Sequence, residues 1–137
     1  MTILKMFAVT AILAVVLSVA SNPAWAEAAT SYQPVKGDKV VVYIHHFKPA
    51  EYEKGRDLVE GGFAAAISEH GQVRRTFFLE NPESQEVMAV SFFHPDSSVE
   101  KWHDFQARKD VLEKLAPLRS EPLIIKYYTV GLHHVVN

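Results

Sequence analysis

Seven histidines and the lack of any cysteine define the chemistry open to this 137-residue chain. His45 and His46 follow the apolar run V-V-V-Y-I, and His103 comes directly after Trp102. Imidazole takes up and releases protons near neutral pH, and it also binds metal ions. Without cysteine, thiolate nucleophiles, iron–sulfur clusters and cysteine-ligated zinc are excluded. The histidines are therefore the first candidates for a functional site.

The spacing of the histidines does not favour a metal site. His45 and His46 are neighbours on a predicted strand, so their side chains point to opposite faces and cannot bind one ion within a single chain. A second group is expected at the other end of the sheet, namely His70, His94, His133 and His134. This group lacks the H-x-H, H-x-x-x-H and H-E-x-x-H spacings of metal sites. We predict no metal, with histidines that cap strand ends or face water.

Four strands are predicted from β-branched and aromatic runs bounded by turn residues. They cover residues 39–47, 73–80, 86–94 and 123–130. The first and third strands are apolar at both odd and even positions, which is typical of central strands that are covered on both faces.

Two helical segments lie between the strands. Residues 50–70 carry apolar side chains at helical spacing and end before Gly71, a favourable residue beyond a helix C-terminus. A capping box, Ser97-x-x-Glu100, begins the second segment. We predict an interruption at residues 107–109 and a restart at Asp110.

The order strand–helix–strand–strand–helix–strand predicts an α+β, ferredoxin-like (βαββαβ) fold. In this fold an antiparallel sheet in the order 4-1-3-2 carries both helices on one face. Two helices cover only one face of four strands, whereas strands one and three are apolar on both. A second copy of the sheet is the simplest cover for the other face. We therefore predict a homodimer, a dimeric α/β barrel.

The N-terminal residues predict export. Lys5 precedes an uncharged apolar run at residues 6–20, and Ala24-Trp25-Ala26 is an A-x-A cleavage pattern. Residues 1–26 are thus predicted to be a signal peptide, 27–38 a linker and 39–137 the domain. We expect a periplasmic or secreted protein without membrane contact after cleavage. The net charge of −2 does not favour a nucleic-acid partner.

The order of elements, the two doubly apolar strands and the stretch V-E-K-W-H-D-F-Q-A-R-K-D-V-L resemble the antibiotic-biosynthesis-monooxygenase-like group of the dimeric α/β barrel superfamily. The resemblance covers about residues 39–130. Members of that group include cofactor-independent oxygenases of aromatic polyketides and quinols, haem-degrading oxygenases, small isomerases and proteins with no assigned reaction. The resemblance implies a monooxygenase that acts on a small aromatic or quinol substrate without a cofactor, and the N-terminal pattern adds the expectation that it is exported.

Cofactor-free oxygenation requires a dry pocket with aromatic walls and a base or hydrogen-bond donor. We predict His45 and His103 as the catalytic bases. The predicted ligand-binding residues are Tyr43, Phe63, Phe93 and Trp102. The opposing interpretation of these residues is a plain hydrophobic core with partly exposed histidines.

The chain departs from the haem-degrading branch of the group, which has an asparagine on strand one, a tryptophan on helix two and a histidine further along the same region. Aligning the K-D-V-L stretch places Gln106 at the tryptophan position, and the histidine position falls near Ala116. The first strand has no asparagine. We therefore expect no haem and no other cofactor.

Two readings of function remain open. The alternative to an oxygenase is a non-catalytic dimeric binding module for a small apolar ligand, which a filled core at His45 and His103 would favour. Arg74 and Arg75 are also open to two interpretations. They protect an edge strand from aggregation, or one of them pairs with an anionic substrate.

Overall fold

The computed structural model describes residues 32–132, 134 and 136. Within these residues four antiparallel strands form one sheet: β1 (Lys39–His46), β2 (Val73–Asn81), β3 (Glu86–Phe93) and β4 (Ile124–Thr129). Their order is β2-β3-β1-β4, which is the predicted order 4-1-3-2 counted from the opposite edge. The predicted ferredoxin-like α+β fold is confirmed. The predicted signal peptide, residues 27–31 of the predicted linker and His133 lie outside the described residues.

The first helical segment follows β1 and carries the expected apolar stripe. It consists of a 3-10 turn (Pro49–Glu51), α1 (Tyr52–Asp57), a π turn (Leu58–Gly62) and α2 (Phe63–His70). Gly71 ends it with a φ of 76°, a left-handed conformation that suits glycine. Close packing against the sheet requires glycine at position 55, since a Cβ there would lie 2.6 Å from ring carbons of Phe47. The missing side chain lets the helix approach the sheet.

The second helical segment differs from the prediction in two details. It consists of α3 (Val99–His103), α4 (Gln106–Leu115) and a 3-10 turn (Ala116–Leu118). The cap is Ser98 and not Ser97, because the Ser98 hydroxyl accepts a hydrogen bond from the Lys101 N–H at 3.2 Å. The predicted break at residues 107–109 is wrong. The helix is interrupted at Phe105, whose backbone is extended, and it continues through Arg108.

The two faces of the sheet differ in what covers them. The face toward the helices contributes Val41, Tyr43, Phe47 and Val87 to the core, all buried. The opposite face is also apolar, but in the described residues no helix covers it. Strand register places on it Val40, Val42, Ile44, Phe77, Leu79, Met88, Val90, Phe92, Ile124 and Tyr128. We call this set the open face.

The described part of the predicted linker runs beside the sheet. Gly37 donates a backbone hydrogen bond to Val130, and Val130 donates one to Asp38, both at 2.9 Å. The Asp38 carboxylate is buried and accepts hydrogen bonds from the Val35 N–H and the Tyr32 hydroxyl. Across the part of the chain that the structure describes, none of the helices has the length and apolar character needed to cross a membrane.

Candidate functional site

A cavity lies between the sheet and the two helical segments. Its walls are formed by Tyr43, His45, Phe63, Ile67, Ala89, Ser91, Trp102, Arg108, Leu112 and Leu123. About 280 Å³ between these side chains is unfilled, including space open to solvent, but only about 10 Å³ is accessible to the centre of a water molecule. That is room for about one water. A ligand the size of a hydroquinone must therefore push wall side chains apart.

His45 is the polar group at the centre of this cavity. It lies on β1, is 0% exposed, and has the rings of Phe47 and Phe63 each at 5.9 Å from its own. Neither of its ring nitrogens makes a hydrogen bond to any described residue. A buried polar group without a partner is costly and rare, so this one indicates a site that a ligand can complete.

The surroundings of His45 keep its imidazole neutral. Burial lowers its pKa to about 3, and the positive charges of Arg119 and Arg108 act in the same direction. Near neutral pH the ring therefore has one N–H donor and one free acceptor nitrogen. Both are available to a bound hydroxyl group.

Its neighbour His46 has a different environment. As predicted, it points to the other face of the sheet, where its Nε2 lies 2.9 Å from Oε2 of Glu86. Only His45 of the pair therefore reaches the cavity. Among the described residues, no three histidine, aspartate or glutamate side chains are placed to hold a metal ion.

Arg108 places a positive charge in the cavity wall. It lies on α4, is 5% exposed, and donates one hydrogen bond from Nη1 to the backbone oxygen of His103 at 3.1 Å. Its guanidinium carbon stands 5.4 Å from the ring centre of Tyr43 and 5.8 Å from that of Trp102. In the described residues no carboxylate lies within ion-pair distance of it.

Tyr43 and His103 form a pair that connects the cavity wall to a more exposed region. The Tyr43 hydroxyl and His103 Nε2 share a hydrogen bond of 2.9 Å. Burial raises the pKa of Tyr43. Burial lowers the pKa of His103, and the positive charge of Arg108 lowers the pKa of His103 further. Both groups are therefore neutral near neutral pH. His103 is only half-buried, so a proton that reaches it can pass to solvent.

Trp102 is a core residue that also forms part of the cavity wall. It is 2% exposed and packs edge-on against the ring of His70, with ring centres 5.3 Å apart. Its indole nitrogen makes no hydrogen bond to the described residues. Trp102 is close enough to Tyr43 to lower the pKa of that hydroxyl slightly, against the larger effect of burial. Its indole ring therefore contributes an aromatic wall to the cavity.

The structure brings together four of the six predicted site residues. Tyr43, His45, Phe63 and Trp102 line the cavity. His103 contacts it through Tyr43. Phe93 does not line it, because it lies at the far end of β3, paired with Lys39 and fully buried in the core.

Arg108 was not among the predicted site residues, although the sequence contains a signal for it. It is three residues before Val111 and seven before Leu115, and both of these are buried on the same helix. An arginine on an apolar stripe is a candidate for burial. Ser91 carried no comparable signal, since a serine inside an apolar strand is unremarkable. Its hydroxyl shares a hydrogen bond with Thr76 at 2.9 Å.

Fold and cavity together define the class: a ferredoxin-like α+β protein with an apolar cavity that contains a neutral histidine and an arginine between sheet and helices. Solved structures with the same fold include two proteins provisionally named antibiotic biosynthesis monooxygenase. The one from Caulobacter crescentus is 11% identical over 71% of this chain and 92% of its own, with a TM-score of 0.62. The one from Nitrosomonas europaea is 11% identical over 72% and 95%, with a TM-score of 0.61.

A third similar structure is that of SnoaB, a cofactor-independent oxygenase from Streptomyces nogalater. It is 13% identical over 71% of this chain and 96% of its own, with a TM-score of 0.56. The predicted resemblance to the antibiotic-biosynthesis-monooxygenase-like group is thus confirmed in three-dimensional structure, and at these identities the likeness establishes the fold. No family model and no curated protein matches the chain.

Proposed function

We propose that this chain is an exported, homodimeric, cofactor-independent monooxygenase that acts on a small quinol or phenol. The observation that carries the proposal is the neutral, fully buried His45, whose two ring nitrogens are free inside an apolar cavity. The cavity supplies aromatic walls from Phe63 and Trp102. A phenolic hydroxyl placed there could donate its proton to the acceptor nitrogen of His45.

The reaction balances with dioxygen as the only co-reactant. The substrate hydroxyl loses its proton, the resulting anion reacts with dioxygen at a ring carbon, and the peroxide that forms takes up a proton. Loss of water then leaves a carbonyl group. A hydroquinone thereby becomes a hydroxyquinone, with one oxygen atom in the product and one in water. The electrons that reduce dioxygen come from the substrate, so the reaction itself requires no metal or flavin.

The protein's part is to move protons and exclude water. We assign the first proton transfer to His45, which is neutral and lies inside the cavity. Because an imidazole with a pKa of about 3 holds a proton only briefly, the proton must move on. The hydrogen-bonded Tyr43 and His103 offer the route toward solvent.

The homodimer is proposed from the open face. Phe77, Leu79 and Tyr128 are 42%, 50% and 54% exposed on this face. Together with the apolar side chains of β1 and β3, they form a contiguous apolar surface that a second copy of the sheet would bury. Such packing would produce the dimeric α/β barrel.

Export is proposed from the N-terminal sequence alone. A positive residue, an apolar run and the A-x-A pattern at residues 24–26 are typical of a signal peptide. Expression of the full chain in a bacterial host tests this part of the proposal. We expect the periplasmic fraction to contain a protein that begins at Glu27, and a chain retained in the cytoplasm with its first 26 residues intact would contradict it.

One observation favours the second candidate function, a non-catalytic binding module. The cavity has room for about one water, which is too little for an aromatic substrate together with dioxygen. In that case the chain would hold a small apolar ligand without reaction. The distinction between the two functions is turnover, which structure alone does not measure.

Oxygen uptake by the purified protein tests the proposal. The substrates are 1,4-hydroquinone and 1,4-naphthohydroquinone, with the spontaneous rate measured without protein. Loss of a general acid–base group typically lowers a rate about 100-fold or more, and we expect this for His45→Ala and His103→Ala. His94→Ala, at an exposed position away from the cavity, is the control. No uptake above the spontaneous rate, or uptake by both histidine variants at the wild-type rate, would overturn the oxygenase proposal.

A further inference from the structure

The guanidinium of Arg108 is a buried charge without a counter-ion in the described residues. It is 5% exposed, and the cavity wall that it shares contains no aspartate or glutamate. Arg56 shows the ordinary arrangement elsewhere in the chain, since its Nη2 lies 3.0 Å from the Asp57 carboxylate. Buried charges are normally paired because taking them out of water is expensive. The arrangement at Arg108 therefore calls for a functional explanation.

The contacts that Arg108 does make orient it without neutralising it. Its hydrogen bond to the His103 backbone oxygen uses a single N–H group. The rings of Tyr43 and Trp102 attract the cation by their faces and hold the guanidinium at the cavity wall. A guanidinium has several further N–H donors in a planar fork. These donors and the net charge remain available to a ligand.

A second arginine strengthens the positive field in the same place. Nε and Nη2 of Arg119 are buried and make no hydrogen bonds to the described residues. Burial lowers the pKa of Arg119, and the charge of Arg108 lowers it further. Both charges also lower the pKa of His45. An anion bound beside Arg108 would offset part of this positive field.

We propose that Arg108 is the anion-binding residue of the cavity and that the ligand it selects is an aromatic monoanion, a deprotonated phenol or enol. Once wall side chains move apart, the apolar walls would suit an aromatic ring, and its single negatively charged oxygen would be placed to meet Arg108 and one nitrogen of His45. This inference rests on the proposed function, because it names the ionised substrate on which dioxygen would act. It narrows the substrates to acidic phenols and enols.

The test is binding of 4-nitrophenol, whose ionised form has its own absorption band, without any oxygen. In the wild-type protein we expect the pKa of bound 4-nitrophenol to fall below that of the free compound. Arg108→Gln should weaken binding of the phenolate about tenfold or more, as expected for loss of a charge-assisted hydrogen bond. The affinity of the same variant for the neutral analogue 4-nitroanisole, measured by equilibrium dialysis, should fall less than about threefold.

Two further variants separate charge from structure. Arg74→Gln removes the same charge from an exposed position and should change neither affinity. Arg108→Lys keeps the charge and should retain most of the preference for the phenolate.

Three results would overturn the inference: equal loss of both ligands in Arg108→Gln, unchanged phenolate binding in that variant, or no fall in the pKa of the probe bound to the wild-type protein. The last measurement needs no variant, so it stands even if Arg108→Gln does not fold. Phenolate binding without any oxygen uptake would contradict the oxygenase proposal and support the anion site at Arg108. Oxygen uptake that is unchanged in Arg108→Gln would support the oxygenase proposal and contradict the anion site.

Discussion

The Tyr43 hydroxyl lies 2.9 Å from Nε2 of His103, and this hydrogen bond joins β1 to α3 at the edge of the cavity. The two partners differ in exposure, since Tyr43 is 6% exposed whereas His103 is only half-buried. Loss of one partner therefore has a different consequence from loss of the other. Loss of a hydrogen-bond partner destabilises the protein most when the remaining group is buried away from water.

We expect His103→Ala to destabilise the protein more than Tyr43→Phe. The histidine variant leaves a buried hydroxyl without a partner, which costs about 1–3 kcal/mol, whereas the tyrosine variant leaves an imidazole that water can solvate, costing about 1 kcal/mol. Urea denaturation of both variants measures the free energies of unfolding. A larger loss in Tyr43→Phe would show that the hydroxyl has another role in the fold.

Gly55 and Gly61 provide a matched pair of helix substitutions. A Cβ at Gly55 would lie 2.6 Å from the Phe47 ring, and a Cβ at Gly61 would meet nothing within 4 Å. We expect Gly55→Ala to destabilise the fold by about 1–3 kcal/mol, as overpacking does. Gly61→Ala should stabilise it by up to about 1 kcal/mol through helix propensity. Thermal or urea unfolding checks both, and two changes of the same sign would contradict the observed approach of α1 to the sheet.

The buried His45 predicts a loss of stability in acid. The pKa of His45 is 6.5, the usual value for histidine, in the unfolded chain and about 3 in the folded protein. As the pH falls below about 6.5, the unfolded chain therefore takes up a proton that the folded chain does not. The free energy of unfolding should decrease by up to about 1.4 kcal/mol per pH unit from this residue. His103, whose pKa is also lowered, adds to the same trend.

Urea denaturation at several pH values between 7 and 4 measures this dependence. One proton taken up only by the unfolded chain changes the free energy of unfolding by about 1.4 kcal/mol per pH unit. His45→Gln should have a shallower slope than the wild type. His94→Gln, at an exposed position, should keep the wild-type slope. An unchanged slope in His45→Gln would mean that His45 takes up its proton as readily in the folded protein as in the unfolded chain.

The open face predicts that one charge can separate the dimer. Phe77 lies on β2, 42% exposed, with its ring edge-on to that of Phe92 at 6.0 Å. Phe77→Glu would bury a carboxylate in the proposed interface, at a cost that the neighbouring Arg75 only partly offsets, and should produce a monomer. Light scattering should find twice the mass of one chain for the wild type and for Val35→Glu, an exposed control outside the sheet. A monomeric wild type would contradict the proposed dimer.

The architecture could be predicted because its signals are local and periodic. Val40 to Ile44 on β1 and Val87 to Phe93 on β3 are apolar on both faces, and this pattern identified the two central strands. The pleat of β1 alone was enough to separate His45 from His46. Strand order then followed from the short connections.

The charged part of the site was harder to predict because burial of a charge is a tertiary property. Arg108 was assigned to an interruption of the helix, since arginine is usually solvated. In the structure the break falls at Phe105, and Arg108 turns inward beneath the rings of Tyr43 and Trp102. The pairing of Tyr43 with His103 depends on two residues 60 positions apart. No local pattern reports such a contact.

The central claim, that the cavity around His45 is the functional site, is tested most directly by following the ring nitrogens of His45 by nuclear magnetic resonance. The ligand is 1,4-naphthohydroquinone, added without oxygen so that only binding is observed. We predict that the His45 resonances shift saturably, since neither nitrogen has a hydrogen-bond partner among the described residues, while those of the exposed His94 stay unchanged. Saturation of the protein with unchanged His45 resonances would contradict the account.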